Sequence, residues 1–215
     1  PVLGNASLAW CGKNKRLVSG HISIFAFFQS ASVAGPETSV YDKHMRYETW
    51  PNLATMFFDR AAELGDKPFL WAKKNDAYQP LSWRETAAQI HRLAAGLKAC
   101  GIEAGDRVAL VSESRPEWLI ADIAIMAAGG ISVPAYTTNT VDDHLHILKN
   151  SGAKGVIVST PQLAARLIPA AEQVAESQFM VSMSPLEIPL ESSLTFHGWA
   201  ETLERGTEKA AEVEA

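Results

Sequence analysis

From about residue 52 onward the apolar positions fall into regular spacings. Leu53, Met56, Phe57 and Ala61 follow the i, i+3, i+4 pattern, which predicts an amphipathic helix over 52–64 with Gly65 as its left-handed stop. Residues 67–72 and 78–83 read as strands on either side of the turn Lys74-Asn75-Asp76, a hairpin. Ser82-Trp83-Arg84-Glu85 has the form of a capping box, in which the serine accepts an amide three residues on and the glutamate reaches back to the cap. It opens a helix over 84–100 with Ala88, Leu93, Ala94, Ala95 and Leu97 on its inner side, ended by Gly101. Short β-branched runs then alternate with helical stretches. Strands are expected at 107–111, 131–136, 153–159 and, more weakly, 179–181. The helices between them open at Ser114-Arg115-Pro116-Glu117, Thr140-Val141-Asp142-Asp143 and Thr160-Pro161. This is the signature of an α/β fold: a helix-flanked, mostly parallel sheet, preceded here by a helix and a β-hairpin.

The pattern weakens at both ends. Beyond Met183 a loop with Pro185 and Pro189 leads to one short amphipathic helix holding Phe196, Trp199 and Leu203. Residues 206–215 are charged and alanine-rich, and read as a frayed helix or one whose partner is missing. The division expected is therefore 1–44, 45–183 as the α/β unit, and 184–215 as loop and truncated helix. The first segment carries a local charge of +2 and the first methionine is Met45. Lys13 to Arg16, an apolar stretch and a run of small residues imitate a secretory signal, but Ser19, Gly20 and His21 interrupt the apolar part. The segment reads instead as a disordered or non-native leader.

Composition narrows the function. The 215 residues carry 19 Lys+Arg against 24 Asp+Glu, a net charge of -5, which argues against a nucleic-acid binder working through bulk positive charge. No apolar run is long enough for a transmembrane helix. Cys11 and Cys100 fit neither a disulfide framework nor zinc spacing, so a cytoplasmic, reducing setting is expected.

Motifs with nucleotide or nucleophile chemistry are missing: no G-x-G-x-x-G follows Val111, and neither a G-x-x-x-x-G-K-[ST] loop nor a G-x-S-x-G elbow occurs. This disfavours a Rossmann-type oxidoreductase. His144 and His146 stand two apart on a helix, about 200° around it, and cannot share a metal; one is expected at the surface and one part-buried. His91 and His197 are expected as lone histidines on helices, and Cys100, at a helix carboxyl end, as an inert boundary residue. Neither catalytic nor metal-ligating residues are assigned. The loop Tyr136, Thr137, Thr138, Asn139 follows the carboxyl end of a strand, where open α/β sheets place ligands, and is the candidate substrate-facing segment. The same residues also suit a plain turn with a cap at Thr140.

Four stretches carry a resemblance. Leu81-Ser82-Trp83-Arg84-Glu85, Gly105-Asp106-Arg107-Val108-Ala109 with Ser114-Arg115-Pro116-Glu117-Trp118, the stretch from Gly129-Gly130 through Val133-Pro134-Ala135-Tyr136 to Thr140, and Ile147-Leu148-Lys149-Asn150-Ser151-Gly152-Ala153-Lys154 resemble, in order and spacing, motifs of AMP-forming acyl-CoA synthetases. The Arg-Pro-Glu-Trp and Tyr-Thr-Thr-Asn-Thr forms look closest to the long-chain fatty-acid branch. The resemblance implies an ATP-dependent acid–thiol ligase that adenylates a carboxylate with Mg2+ and then passes the acyl group to coenzyme A, with fatty acid as substrate and peripheral membrane association compatible with it. The family's Ser/Thr/Gly-rich phosphate loop ending in Pro-Lys-Gly does not occur in these residues, so the chain by itself is expected to bind no cofactor tightly and to be inactive, with exposed apolar surface favouring self-association. Ser114 stands where the family often has Asn. A stand-alone α/β binding or interaction module is the alternative.

Overall fold

A computed structural model describes residues 50–187 and 190–213; the leader expected over 1–44 lies outside the described residues. The chain forms α1 (Leu53–Leu64), a hairpin of β1 (Pro68–Lys74) and β2 (Ala77–Ser82), α2 (Trp83–Ala99), then β3 (Arg107–Val111), α3 (Pro116–Ala127), β4 (Ile131–Ala135), α4 (Val141–Ser151), β5 (Gly155–Val158), α5 (Pro161–Ala171), β6 (Phe179–Ser182), β7 (Thr195–Gly198) and α6 (Trp199–Val213). Strands β3 to β7 make one parallel sheet in the order β4-β3-β5-β6-β7.

Alternate strand residues feed two separate cores, as the period of two requires. Val108, Leu110, Ile157, Phe179 and Val181 face the core shared with α1, α2 and α3, against which Trp199 and Leu203 of α6 also pack. Ala109, Val111, Val156, Val158 and Met180 face the core built with α4 and α5. The sheet is therefore buried on both faces, and the apolar runs Val108 to Val111 in β3 and Val156 to Val158 in β5 follow from that.

Local chemistry sets the element ends. Asn75 and Asp76 both take positive φ, 50° and 61°, the conformation a two-residue hairpin turn needs. The expected capping box forms, Ser82 with Glu85, and the expected cap at Thr140 closes as a box too, with Asp143. The helix expected to open at Ser114 starts instead at Pro116, with Arg115 as its extended cap residue. A residue before proline is pushed out of the helical region, which moves the cap one position past Ser114.

Other expectations are corrected. Leu53 is 59% exposed, and α1 buries Ala54, Phe57 and Ala61 instead. Ala88 is exposed, and Thr86 and Ile90 take the inner positions of α2. His197 lies on β7 rather than a helix, and Phe196 belongs to the same strand, so the helix starts only at Trp199. Nor does α6 lack a partner. It crosses α2 so closely that Thr202 is fully buried and its backbone carbonyl lies over Gly96. The apolar α3 is covered by α1, α2 and the sheet.

Candidate functional site

In a parallel sheet every strand ends on the same side, and side chains just past those ends form one rim. The connection from β3 runs through α3 to β4, and that from β5 through α5 to β6, on opposite faces of the sheet. The crevice between the carboxyl ends of β3 and β5 is therefore the topological switch point, where open α/β sheets bind ligands.

Serines and one carboxylate fill it. Ser159, fully buried just past β5, donates its hydroxyl to Glu113 Oε2. Ser112, just past β3, donates to the Glu113 carbonyl at 2.9 Å, and its oxygen lies 3.8 Å from Met183 Sδ. Ser182 donates to the Ser184 carbonyl at 2.6 Å. The Ser159 hydroxyl, helped by the charge of Arg115, holds the Glu113 carboxyl below the usual carboxylate range. Glu113 is thus ionised at neutral pH, and a fixed negative charge sits at the centre of the rim. Arg115 itself is paired with Glu117 at 2.8 Å.

The loop expected to face substrate stands beside this crevice, past β4. Tyr136 is 82% exposed. The Asn139 amide closes a turn onto the Tyr136 carbonyl at 3.3 Å, and Thr138 is exposed. Thr137 is held from across the fold: Arg166 of α5 donates from Nη2 to the Thr137 carbonyl at 2.7 Å. The loop is thus a turn, pinned at one end by Arg166 and at the other by the Thr140 cap. On the far side of the rim, past β6 and β7, a cleft of about 350 Å³ is lined by Met183, Leu186, Phe196, His197 and Trp199.

The histidines behave as their spacing implies. His146 is exposed, while His144 goes further than part-burial and is 1% exposed. His91 stacks on Phe58 with ring centroids 4.1 Å apart. Cys100 is a free, half-buried thiol whose pKa burial pushes up, opposite to the activation a nucleophile needs.

Sequence reasoning missed Glu113, Ser159 and Arg166. A signal existed for the first two, because polar residues directly follow apolar strands there; Arg166 carried none.

These residues do not suit a polyphosphate. The central charge is negative, and the two nearby guanidiniums are engaged with Glu117 and Thr137. Among the described residues no group of three or more His, Cys, Asp or Glu could hold a metal ion.

An open parallel sheet flanked by helices on both faces defines an α/β domain. The sequence pattern described as AMP-binding enzyme matches residues 57–213, and the chain belongs to that family. It is 23% identical over 192 residues to the chloroplastic long-chain-fatty-acid–[acyl-carrier-protein] ligase AEE15 of Arabidopsis thaliana, covering 88% of this chain and 26% of the relative. It is 33% identical over 109 residues to the long-chain-fatty-acid–CoA ligase FadD15 of Mycobacterium tuberculosis, covering 51% and 18%. Among solved structures, the adenylation domain of a carboxylic acid reductase from Segniliparus rugosus shares the fold with a TM-score of 0.62 at 17% identity, over 74% of this chain and 31% of that one. The chain thus spans about a quarter of the first of these relatives. No helix among the described residues is long and apolar enough to cross a membrane.

Proposed function

We propose that this chain supplies the first sheet and its rim to the large domain of a long-chain fatty acid–CoA ligase, an enzyme that adenylates a fatty acid with ATP and Mg2+ and transfers the acyl group to coenzyme A. The observation that carries the reading is the family match over residues 57–213, laid on a sheet whose rim loop is pinned from two elements. The relatives named for long-chain fatty acids support the substrate class. Tyr136, Thr137, Thr138 and Asn139 form part of the wall that faces the acyl substrate, and the working enzyme is cytoplasmic. Residues 1–44 are dispensable for folding of the α/β unit, so truncation at Met45 leaves the melting temperature unchanged.

By itself the 215-residue chain does not adenylate. Adenylyl transfer depends on donors positioned around the phosphates, and the guanidiniums at this rim, Arg115 and Arg166, are engaged with Glu117 and the Thr137 carbonyl. Fatty-acid-dependent exchange of labelled pyrophosphate into ATP is the test. No exchange above a vector control is expected from the purified chain, whereas exchange that tracks palmitate concentration would overturn this reading.

A further inference from the structure

His144 is a charge-capable side chain wholly enclosed between α4 and the neighbouring layer of α5. It is 1% exposed, and its Nε2 has no hydrogen-bond partner. A neutral imidazole offers one donor and one acceptor, so the orphan Nε2 is tolerable as an unused acceptor. Protonation would turn it into a second donor with nothing to receive the hydrogen bond, at the cost of a buried unpaired charge.

Three further features oppose that charge. His144 sits in the first turn of α4, where the unsatisfied amides place the positive end of the helix dipole. Arg166, the only charged residue on α5, lies near enough for its charge to oppose protonation. That guanidinium is not neutralised by a carboxylate; it is spent on the Thr137 carbonyl. The charged or titratable groups on α4 itself are Asp142, Asp143, His146 and Lys149, all exposed. Of these Asp143 favours the protonated ring, but its carboxylate is committed to the Thr140 cap. Strand β4 brings no titratable group, and Arg107 of β3 reaches only the far end of α4, at the Ser151 and Gly152 carbonyls.

We infer that His144 is a proton-sensitive latch: kept neutral it lets α4 close on α5 and hold the Tyr136–Asn139 turn, and when protonated it forces that contact open and releases the turn. The same guanidinium both repels the protonated ring and pins Thr137, so the charge on one and the order of the other are coupled. Burial and Arg166 push the His144 pKa below the ordinary histidine value. The unfolded chain therefore takes up the proton first as pH falls. The stabilising effect of the neutral ring is complete above about pH 6.5. Below that the folding constant drops by up to tenfold per pH unit, until the depressed native pKa is reached.

The test needs only the folded 215-residue chain. Its histidine ring resonances are followed by NMR from about pH 8 to 5, a range that spans the ordinary histidine pKa, alongside hydrogen exchange of the 136–143 amides corrected for intrinsic rate. The His144→Gln variant assigns the resonance and is unfolded in urea over the same range. We expect the His144 ring to titrate below the ordinary histidine value of about 6.5. Exchange at 136–143 should rise severalfold below about pH 6, and the unfolding constant should lose about one proton's worth of pH dependence in the variant. The latch is overturned if His144 titrates at or above the ordinary histidine value of about 6.5, if 136–143 stay protected while it titrates, or if both chains show the same pH dependence. Should the variant not fold, the wild-type titration and exchange decide alone.

Discussion

The backbone of Gly206 lies directly on the backbone of Arg92: a Cβ at Gly206 would fall 1.7 Å from the Arg92 carbonyl oxygen and 2.9 Å from Gly96 N. The reverse contact is equally tight, since a Cβ at Gly96 would lie 2.0 Å from the Thr202 carbonyl oxygen. Helices α2 and α6 therefore cross in backbone contact at these two positions, with the buried Thr202 side chain beside Gly96, an approach that a residue with a Cβ at 96 or 206 would not permit. Helix propensity favours alanine over glycine in a helix interior by about 1 kcal/mol. The crossing predicts the opposite sign. Gly206→Ala and Gly96→Ala should each destabilise by about 1–3 kcal/mol, as overpacked sites do. Urea midpoints that rise in either variant would show that the two helices are not in backbone contact.

A second close approach ties neighbouring strands together. Gly155 of β5 pairs in register with Phe179 of β6, and a Cβ at Gly155 would lie 2.3 Å from the ring. Phe179 is 2% exposed, so its ring has nowhere to go. Gly155→Ala should cost about 1–3 kcal/mol. Combined with Phe179→Leu, which frees the space, the two losses should sum to clearly less than their separate values. Strict additivity in denaturant titrations would rule out the contact.

How far the fold could be read from the chain depended on distance in sequence. The boxes at Ser82/Glu85 and Thr140/Asp143 were legible because each is closed within four residues. Phe196, Trp199 and Leu203 have helical spacing, yet Phe196 is drawn into β7 by pairing with Met180 of β6, a partner the local pattern does not reveal. The glycines at 96 and 206 carry no local signal, because each finds its use in the other's element. The site divides likewise. Tyr136–Asn139 was visible from its place after a strand, whereas Thr137 meets Arg166 across 29 residues and Glu113 meets Ser159 across 46. Both contacts exist only once strands β3, β4 and β5 are ordered side by side.

At the amino end of the sheet Lys154 holds Asp106 at 2.8 Å, and this hydrogen bond, with the Glu103 amide, lowers the Asp106 pKa. A depressed native pKa means the stabilisation is complete above the unfolded value of about 3.9 and is lost as pH falls below it. The pair is partly solvent-screened, so its share is modest, about 1 kcal/mol or less. Asp106→Asn should therefore lower the melting temperature slightly at about pH 7 and by clearly less near pH 3, where the wild-type carboxyl is largely protonated in the unfolded chain and part of the stabilisation is already lost. An equal loss at both pH values would mean that the aspartate acts through packing rather than charge.

Arg166 offers the sharpest test of how the rim loop is held. Its guanidinium is the donor for the part-buried Thr137 carbonyl, and no backbone amide is bonded to that oxygen. Arg166→Met keeps most of the side-chain volume against α4 but removes the donor, leaving the carbonyl to water. Losing a hydrogen bond from a charged donor costs about 1.5–3 kcal/mol where both groups are shielded. Here the bond is only partly buried, so global stability should fall by about 1 kcal/mol. The local effect should be larger, because the Thr140 cap would then hold the turn from one side only. The Asn139 amide, bonded to the Tyr136 carbonyl, should exchange at least tenfold faster in the variant, while those of Val156 to Val158 in the sheet centre change only as global stability does. If the Asn139 amide remains as protected as in wild type, the turn is held by its own hydrogen bond and Arg166 does not position it.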